Sequence, residues 1–381
     1  MFIILSLKEG YLKRTIFLLA FISCCKQVIA QTTDTAGSFS MAAYIDAYAA
    51  TYTDSVGAGN FQKFPSVSPR NGMGLNTAML SSQYNNDKVR ATLVLHFGDI
   101  ANSTWAANNR NIMEAHVGVR LTKKLWVDAG FFRTHFGTEF LLPVENITSS
   151  VSVNTYYEPY YESGIRLNFD PTKNLEINLF LLNGYGMYED NNNKKSFGMG
   201  ITYTVNDHCG IGYTNYIGDD SPPTNTVTHL RIHNNVFLNY QKKKIKIQLG
   251  ADYCIQQNSS ITDTTKSANM WCLLATIRYA ATKKSGIYTR GEIFQDPNGI
   301  MTGVITDRTG VLTGYKIWGI TGGIEYKPTD NSYIRLETRY LQMDNNQAIF
   351  YYNNTYRTYR YEIMVNMGVT FELINSILTK K

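Results

Sequence analysis

The sequence predicts an all-β fold: a closed, transmembrane, antiparallel up-and-down β-barrel of about sixteen strands, in a range of roughly fourteen to eighteen. Three observations predict it. From about Phe39 onward the chain alternates apolar and polar residues with a period of two, in segments separated by turn chemistry. The connections between segments alternate short and long. Within each segment the ionised side chains collect on one face and the other face is apolar.

The alternation is clearest in the last segment. Tyr359, Tyr361, Ile363, Val365, Met367, Val369 and Phe371 occupy one face there, and Arg360, Glu362, Asn366, Gly368 and Thr370 occupy most of the other. In chain order the segments are 39–52, 74–84, 89–100, 112–121, 125–132, 160–169, 175–184, 196–205, 209–217, 228–240, 244–256, 270–280, 285–295, 315–327, 332–340 and 358–371. All but 125–132, which has eight residues, reach the length at which a tilted strand crosses a bilayer, about 9–11 residues.

The short connections, 85–88, 122–124, 170–174, 206–208, 241–243, 281–284 and 328–331, all follow even-numbered segments. They are rich in Asn, Asp, Pro and Lys, residues that favour tight turns or stay solvated. The longer connections, such as 53–70, 133–159, 257–269, 296–314 and 341–357, follow odd-numbered segments. A barrel with both termini in the periplasm places its odd connections outside the cell, and such barrels carry short periplasmic turns and long external loops. A soluble sandwich or propeller has no reason to enforce that rule.

The faces fit the same reading, because a sheet in lipid must close on itself and turn apolar side chains outward. Leu93, Leu95 and Phe97 then face out, with Arg90, Thr92 and His96 facing in. The inward set of charged or titratable residues is Arg90, Glu114, His116, Arg120, Asp128, Glu162, Arg166, Arg231, Lys246, Arg278, Arg335, Glu337, Arg339, Arg360 and Glu362, joined by Glu176, Asp252 and Glu325. Acids and bases are nearly balanced, which predicts a hydrated, charge-lined lumen with weak ion selectivity; for most single pairs an interior salt bridge that stiffens the wall is the simpler role. Around 285–327 the alternation is less clean and leaves Arg290, Glu292 and Lys316 without an assigned face.

Composition narrows the class further. Tyr is the favoured aromatic, 27 of 381 residues, and no apolar run reaches the roughly 18 residues of a transmembrane helix. Residues 1–30 read as a secretory signal: Lys13 and Arg14, an apolar run from Thr15 to Ser23, then Val28-Ile29-Ala30 before Gln31. A signal anchor and a lipoprotein site at Cys24 are the alternatives, the first too short in its apolar run and the second poorly matched by Phe21-Ile22-Ser23. Cleavage removes Lys8, Lys13, Arg14, Lys26 and Glu9, so the net charge falls from +6 to +3. The barrel then occupies 31–371, with a short extension at 372–381. No dense basic stripe of the kind nucleic-acid binding needs is present.

The longest loop, 133–159, is the third external one. In sixteen-stranded general porins that loop folds inward, so by analogy Arg133, His135, Glu139 and Glu145 are candidates for a constriction; the alternative is a surface loop or lid. Cys254 and Cys272 flank the 257–269 hairpin loop with inward parity and are candidates for a bridge, although directly opposed strand positions suit a disulfide poorly. His229 and His233 flank Arg231 but lie about 13 Å apart along a strand, too far to share a metal ion. No Ser/His/acid arrangement points to catalysis, and no cofactor is indicated.

Specific residues add a resemblance. Met113-Glu114-Ala115-His116-Val117-Gly118, Leu125-Trp126-Val127-Asp128-Ala129-Gly130-Phe131-Phe132, Thr134-His135-Phe136-Gly137, Glu158-Pro159-Tyr160-Tyr161-Glu162-Ser163-Gly164-Ile165 and Leu182-Asn183-Gly184-Tyr185 together resemble the OmpL-like β-barrel porin family of Bacteroidota. The match is strongest over 70–185. It departs at Arg133-Thr134, where Pro or Arg followed by Ser is commoner, and at Tyr185, where Trp is commoner. Phe371 is followed by ten further residues, so an aromatic terminal sorting signal would lie inside the chain.

The resemblance implies a porin in the outer membrane of a Gram-negative bacterium, surrounded by lipid and passing small hydrophilic solutes by passive diffusion. No plug domain fits between Gln31 and Phe39. The competing reading is a non-conducting barrel that binds or adheres through its external loops, and a phospholipase-type barrel lacks a Ser/His pair near the lipid face. A homotrimer is expected by analogy with general porins alone.

Overall fold

The computed structural model describes residues 37–54 and 69–378; the predicted signal, 1–30, lies outside them. Sixteen strands form one closed antiparallel barrel, each paired with its sequence neighbours. They are β1 (Gly37–Tyr52), β2 (Gly72–Asn86), β3 (Val89–Phe97), β4 (Ile112–Thr122), β5 (Leu125–Arg133), β6 (Tyr161–Thr172), β7 (Leu175–Leu182) and β8 (Ser196–Asn206). The second half comprises β9 (Cys209–Gly218), β10 (Arg231–Lys242), β11 (Ile245–Gln256), β12 (Ala268–Ala280), β13 (Ser285–Gln295), β14 (Lys316–Tyr326), β15 (Ser332–Met343) and β16 (Tyr359–Leu378). β1 closes the barrel by pairing with β16, from Gly37 opposite Leu378 to Tyr52 opposite Glu362.

Several expected boundaries shift by a few residues, three of them with structural consequences. Segment 89–100 ends at Phe97, and a short helix, α1 (Asp99–Thr104), follows. Gly98 makes that exit: its φ is +115°, and a Cβ there would stand 2.8 Å from the Asn76 carbonyl oxygen, so a side chain would meet both strain and backbone. The tenth strand begins at Arg231 rather than 228, which leaves His229 in the loop, hydrogen-bonded to Ser259. The stretch after Phe371, expected as an extension, continues β16 to Leu378, because β1 begins at Gly37 and supplies a pairing edge for it.

The wall alternates as a membrane barrel should. Leu93, Val117, Ile165, Leu179, Ile277 and Ile320 are exposed on the outside. Exposed aromatics gather near both strand ends: Tyr203, Tyr279 and Tyr326 towards the short turns, and Tyr253, Trp271, Trp318 and Tyr361 towards the long loops. Such paired girdles mark the two bilayer interfaces. In β13, Tyr288, Arg290, Glu292 and Phe294 are buried while Ile287, Thr289, Gly291 and Ile293 are exposed, so Arg290 and Glu292 face inward. Lys316 shares the outward parity of Trp318 and Ile320.

The interior is not polar throughout. Val153, Cys254, Met270, Cys272, Phe294, Ile317, Leu341, Met343 and Phe350 form a buried apolar cluster towards the loop end of the wall. Tyr44, Val94, Trp105, Met113, Phe131, Leu142 and Tyr333 belong to a second. Beside the charged groups, loop residues Val153 and Leu142 enter the barrel and bury apolar side chains on its inner face.

Candidate functional site: a lumen narrowed by an inserted loop

Residues 134–160 leave β5, cross the interior and return to β6, forming α2 (Val153–Tyr157) on the way. Backbone polar groups carried into a barrel need partners, and the wall supplies them. Glu337 accepts from the backbone N–H groups of Ser149 (2.6 Å) and Ser150 (2.9 Å). Glu292 accepts from the N–H of Val153 at 2.7 Å. Arg335 donates to the carbonyls of Pro143, Asn146 and Thr148. Gln248 donates to the Thr138 carbonyl, and Asn235 to the Thr138 hydroxyl.

Arg290 is the central anchor. Its side chain is fully buried and donates to Glu139 Oε1 (3.0 Å), Thr148 Oγ1 (2.9 Å), the Ser150 carbonyl (2.6 Å) and Ser150 Oγ (2.9 Å). Glu139 Oε2 in turn accepts from the N–H of Ser152. A buried guanidinium is tolerated when its donors are taken up in this way, and removing one member of such a set costs about 3–5 kcal/mol.

Two of the four loop residues singled out in sequence therefore dock the loop. Glu139 meets Arg290. His135 reaches Glu162 Oε2 through Nδ1 (2.7 Å) and the Asn215 carbonyl through Nε2 (2.9 Å), with its ring stacked on Phe180. Both of its ring nitrogens face acceptors, an arrangement that favours the imidazolium form. Burial alone would lower its pKa, but the Glu162 charge and these hydrogen bonds outweigh burial and raise it. The other two, Arg133 and Glu145, form a partly exposed pair, with Arg133 Nη1 2.6 Å from Glu145 Oε1.

Between the loop and the wall of β4–β6 lies a cavity of about 260 Å³, lined by Trp105, Glu114, Arg133, Glu139, Phe140, Glu158 and Arg166 among others. Glu158 was not expected there. Its Oε1 accepts from Asn154, and its carboxyl faces the Asp252 carboxyl on β11; burial first, then Asp252, pushes its pKa well above the ordinary carboxylate range. The sequence carried one signal for it, its place before Pro159 at the return to the wall.

The wall residues fall into local groups. Arg90 and Arg166 share Asp128; Glu114 binds His116; Arg278 and Arg335 share Glu325; Arg339 binds Glu292; Arg360 binds Glu362 and Asp54. Arg231 bonds Gln256 and lies 4.0 Å from Asp220. Gly118 has no side chain because Asp128 and the stem of Arg90 cross over it: a Cβ there would lie 2.1 Å from Asp128 Oδ1. Arg120 lies over Trp126, and Lys246 stands opposite Arg278 in the ladder. Cys254 and Cys272 are free thiols. Their strands pair Cys254 with Met270 and Asp252 with Cys272, so the cysteines sit diagonally rather than face to face.

The family described as "Putative beta-barrel porin-2, OmpL-like" matches residues 38–371, nearly the whole barrel. The chain belongs to this family. No curated protein sequence matches it. Among solved structures, the barrel is similar to an anion-selective porin from Comamonas acidovorans, with TM-score 0.62 and 10% identity over 88% of this chain and 100% of that one. It is also similar to the outer-membrane protein OmpT of Vibrio cholerae (TM-score 0.57, 12% identity, 89% and 99% covered). A third likeness is to the outer-membrane channel DcaP of Acinetobacter baumannii (TM-score 0.57, 10% identity, 88% and 97% covered). At these identities the likeness establishes the fold, and with the family it places this porin-like barrel in the outer membrane.

Proposed function

We propose that this family member is a passive porin through which small hydrophilic solutes cross the outer membrane, with no catalytic step. The observation that carries the proposal is the inserted loop: residues 134–160 are pinned to the opposite wall and leave a cavity of about 260 Å³ edged by Glu114, Arg133, Glu139, Glu158 and Arg166. A docked loop that leaves a charged gap is how a barrel sets a size limit without closing. Exported through a cleaved signal at 1–30, the barrel would sit with its short turns in the periplasm and its long loops outside.

The apolar cluster around Val153, Cys254 and Phe294 favours a second reading, a non-conducting barrel acting through its external loops, because it fills part of the cross-section. Purified, heat-modifiable barrel in a planar bilayer separates the two. Discrete, ohmic conductance steps are expected; a correctly folded barrel that gives none refutes the porin reading.

A further inference from the structure

The lumen charges are nearly balanced in number but not in exposure. Towards the short-turn end, two of the carboxylates, Asp128 and Glu325, lie behind cations. Asp128 has a fully buried side chain, yet Arg90 and Arg166, which both bind it, keep 21% and 22% of theirs exposed. Glu325 is 1% exposed behind Arg278, which is 20% exposed, and behind Arg335. Asp46, further along the inner wall, is sealed under Tyr333, Asn76 and Asn366. Glu176 and Asp170 are exposed at this end, with the Asn168 and Asn178 amides capping one oxygen of Glu176.

Two further cations have no acidic partner among the described residues. Arg120 is exposed, its guanidinium 4.6 Å from the Trp126 ring centroid, and Arg90 lies 4.5 Å from the same centroid. Lys246 is half-buried beside Arg278. One indole thus takes cation–π contact from two guanidiniums, which collects positive charge on this stretch of wall. At the mouth, the short turns add Lys123-Lys124, Lys242-Lys243-Lys244 and Lys283-Lys284. Lysines at a rim raise the local anion concentration over roughly a Debye length, about 8 Å at physiological salt.

We propose that the short-turn half of the lumen is an anion-binding vestibule, in which Arg90, Arg120, Arg166, Lys246 and Arg278 present positive charge to small anions such as inorganic phosphate and short carboxylates. The proposal rests on the porin reading and names its solute class. It replaces the weak selectivity expected from counting charges: a carboxylate sealed behind a guanidinium neutralises part of its charge but offers nothing to a passing cation, whereas the outer edge of the guanidinium still donates to an anion. Rings of Arg and Lys select anions in pores by this means.

The test is a reversal potential in a tenfold potassium chloride gradient, followed by potassium phosphate added to both sides. The wild-type barrel is expected to favour chloride over potassium, and phosphate is expected to reduce its chloride current. In the Arg120→Gln/Lys246→Gln double variant, the anion-to-cation permeability ratio should fall by about twofold or more and block by phosphate should weaken. Neither side chain forms an ion pair among the described residues, and heat-modifiability checks that the variant folds. Conductance with cation preference, or selectivity and phosphate block unchanged by the double variant, overturns the vestibule and leaves the porin standing. Absence of conductance from folded wild-type barrel overturns the porin reading, and the vestibule falls with it.

Discussion

His135 and Glu158 lie near the two ends of one loop, and in both the docked surroundings raise the pKa. Glu162 and the Asn215 carbonyl favour the imidazolium form of His135 despite burial, so its pKa is higher in the docked loop than in a free one. Docking energy from this residue is therefore fully present below the free-histidine value of 6.5 and is lost as pH rises through the docked value. Glu158 acts in the same direction. Buried against Asp252 and near Glu139, it keeps its proton to higher pH than the ordinary 4.5, so the docked loop binds more protons than the undocked one and is disfavoured as pH climbs. Hydrogen exchange of peptides within 134–160, corrected for intrinsic chemistry, should speed up between pH 5 and pH 9, and Glu158→Gln should flatten part of that rise. Exchange that is flat or slows with pH would contradict both assignments. His135 was legible in the sequence as a loop residue, but its role was not: its partners lie 27 and 80 positions away, and no local pattern joins them.

Arg290 shows the same limit for a whole element. The length of the 133–159 connection suggested insertion, but many of its anchors, on β13, β15 and β16, lie about 140–217 positions along the chain. The face of Arg290 could not be read because its outward neighbours, Thr289 and Gly291, are not strongly apolar and blur the alternation of β13. Arg290→Ala would leave Glu139 buried without its cation and Ser150 without a donor, a loss of about 3–5 kcal/mol that falls on loop docking rather than on the wall ladder. The expected outcome is a larger unitary conductance together with faster maleimide labelling of Cys254 and Cys272, which lie in the cluster that Val153 covers. Ser150→Ala removes one acceptor of the Arg290 guanidinium and should cost about 1.5–3 kcal/mol, a smaller effect than loss of the cation itself. Unchanged conductance and unlabelled thiols in Arg290→Ala would mean that the loop is held elsewhere.

At the scale of the molecule, strand number and the alternation of short and long connections were legible because they depend on local turn chemistry and on which face meets lipid. The seam was not, because pairing of β1 with β16 joins the two ends of the chain. Its outer part, from Gly37 opposite Leu378 to Met41 opposite Ile374, lies beyond Phe371, and a register shift between Met41 and Ala42 separates it from the rest. The inner part, from Ala43 opposite Phe371 to Tyr52 opposite Glu362, suffices to close the ring. Truncation after Phe371 should therefore yield a barrel that still closes, but with the start of β1 unpaired on one side and its backbone groups seeking water or another chain. On semi-native gels the truncated barrel should keep its fast-migrating folded form and lose it at a lower temperature than the full chain. If truncation abolishes the folded form, the residues beyond Phe371 nucleate closure; if the transition temperature is unchanged, their pairing contributes nothing to stability, and the barrel ends in function where the sequence first suggested.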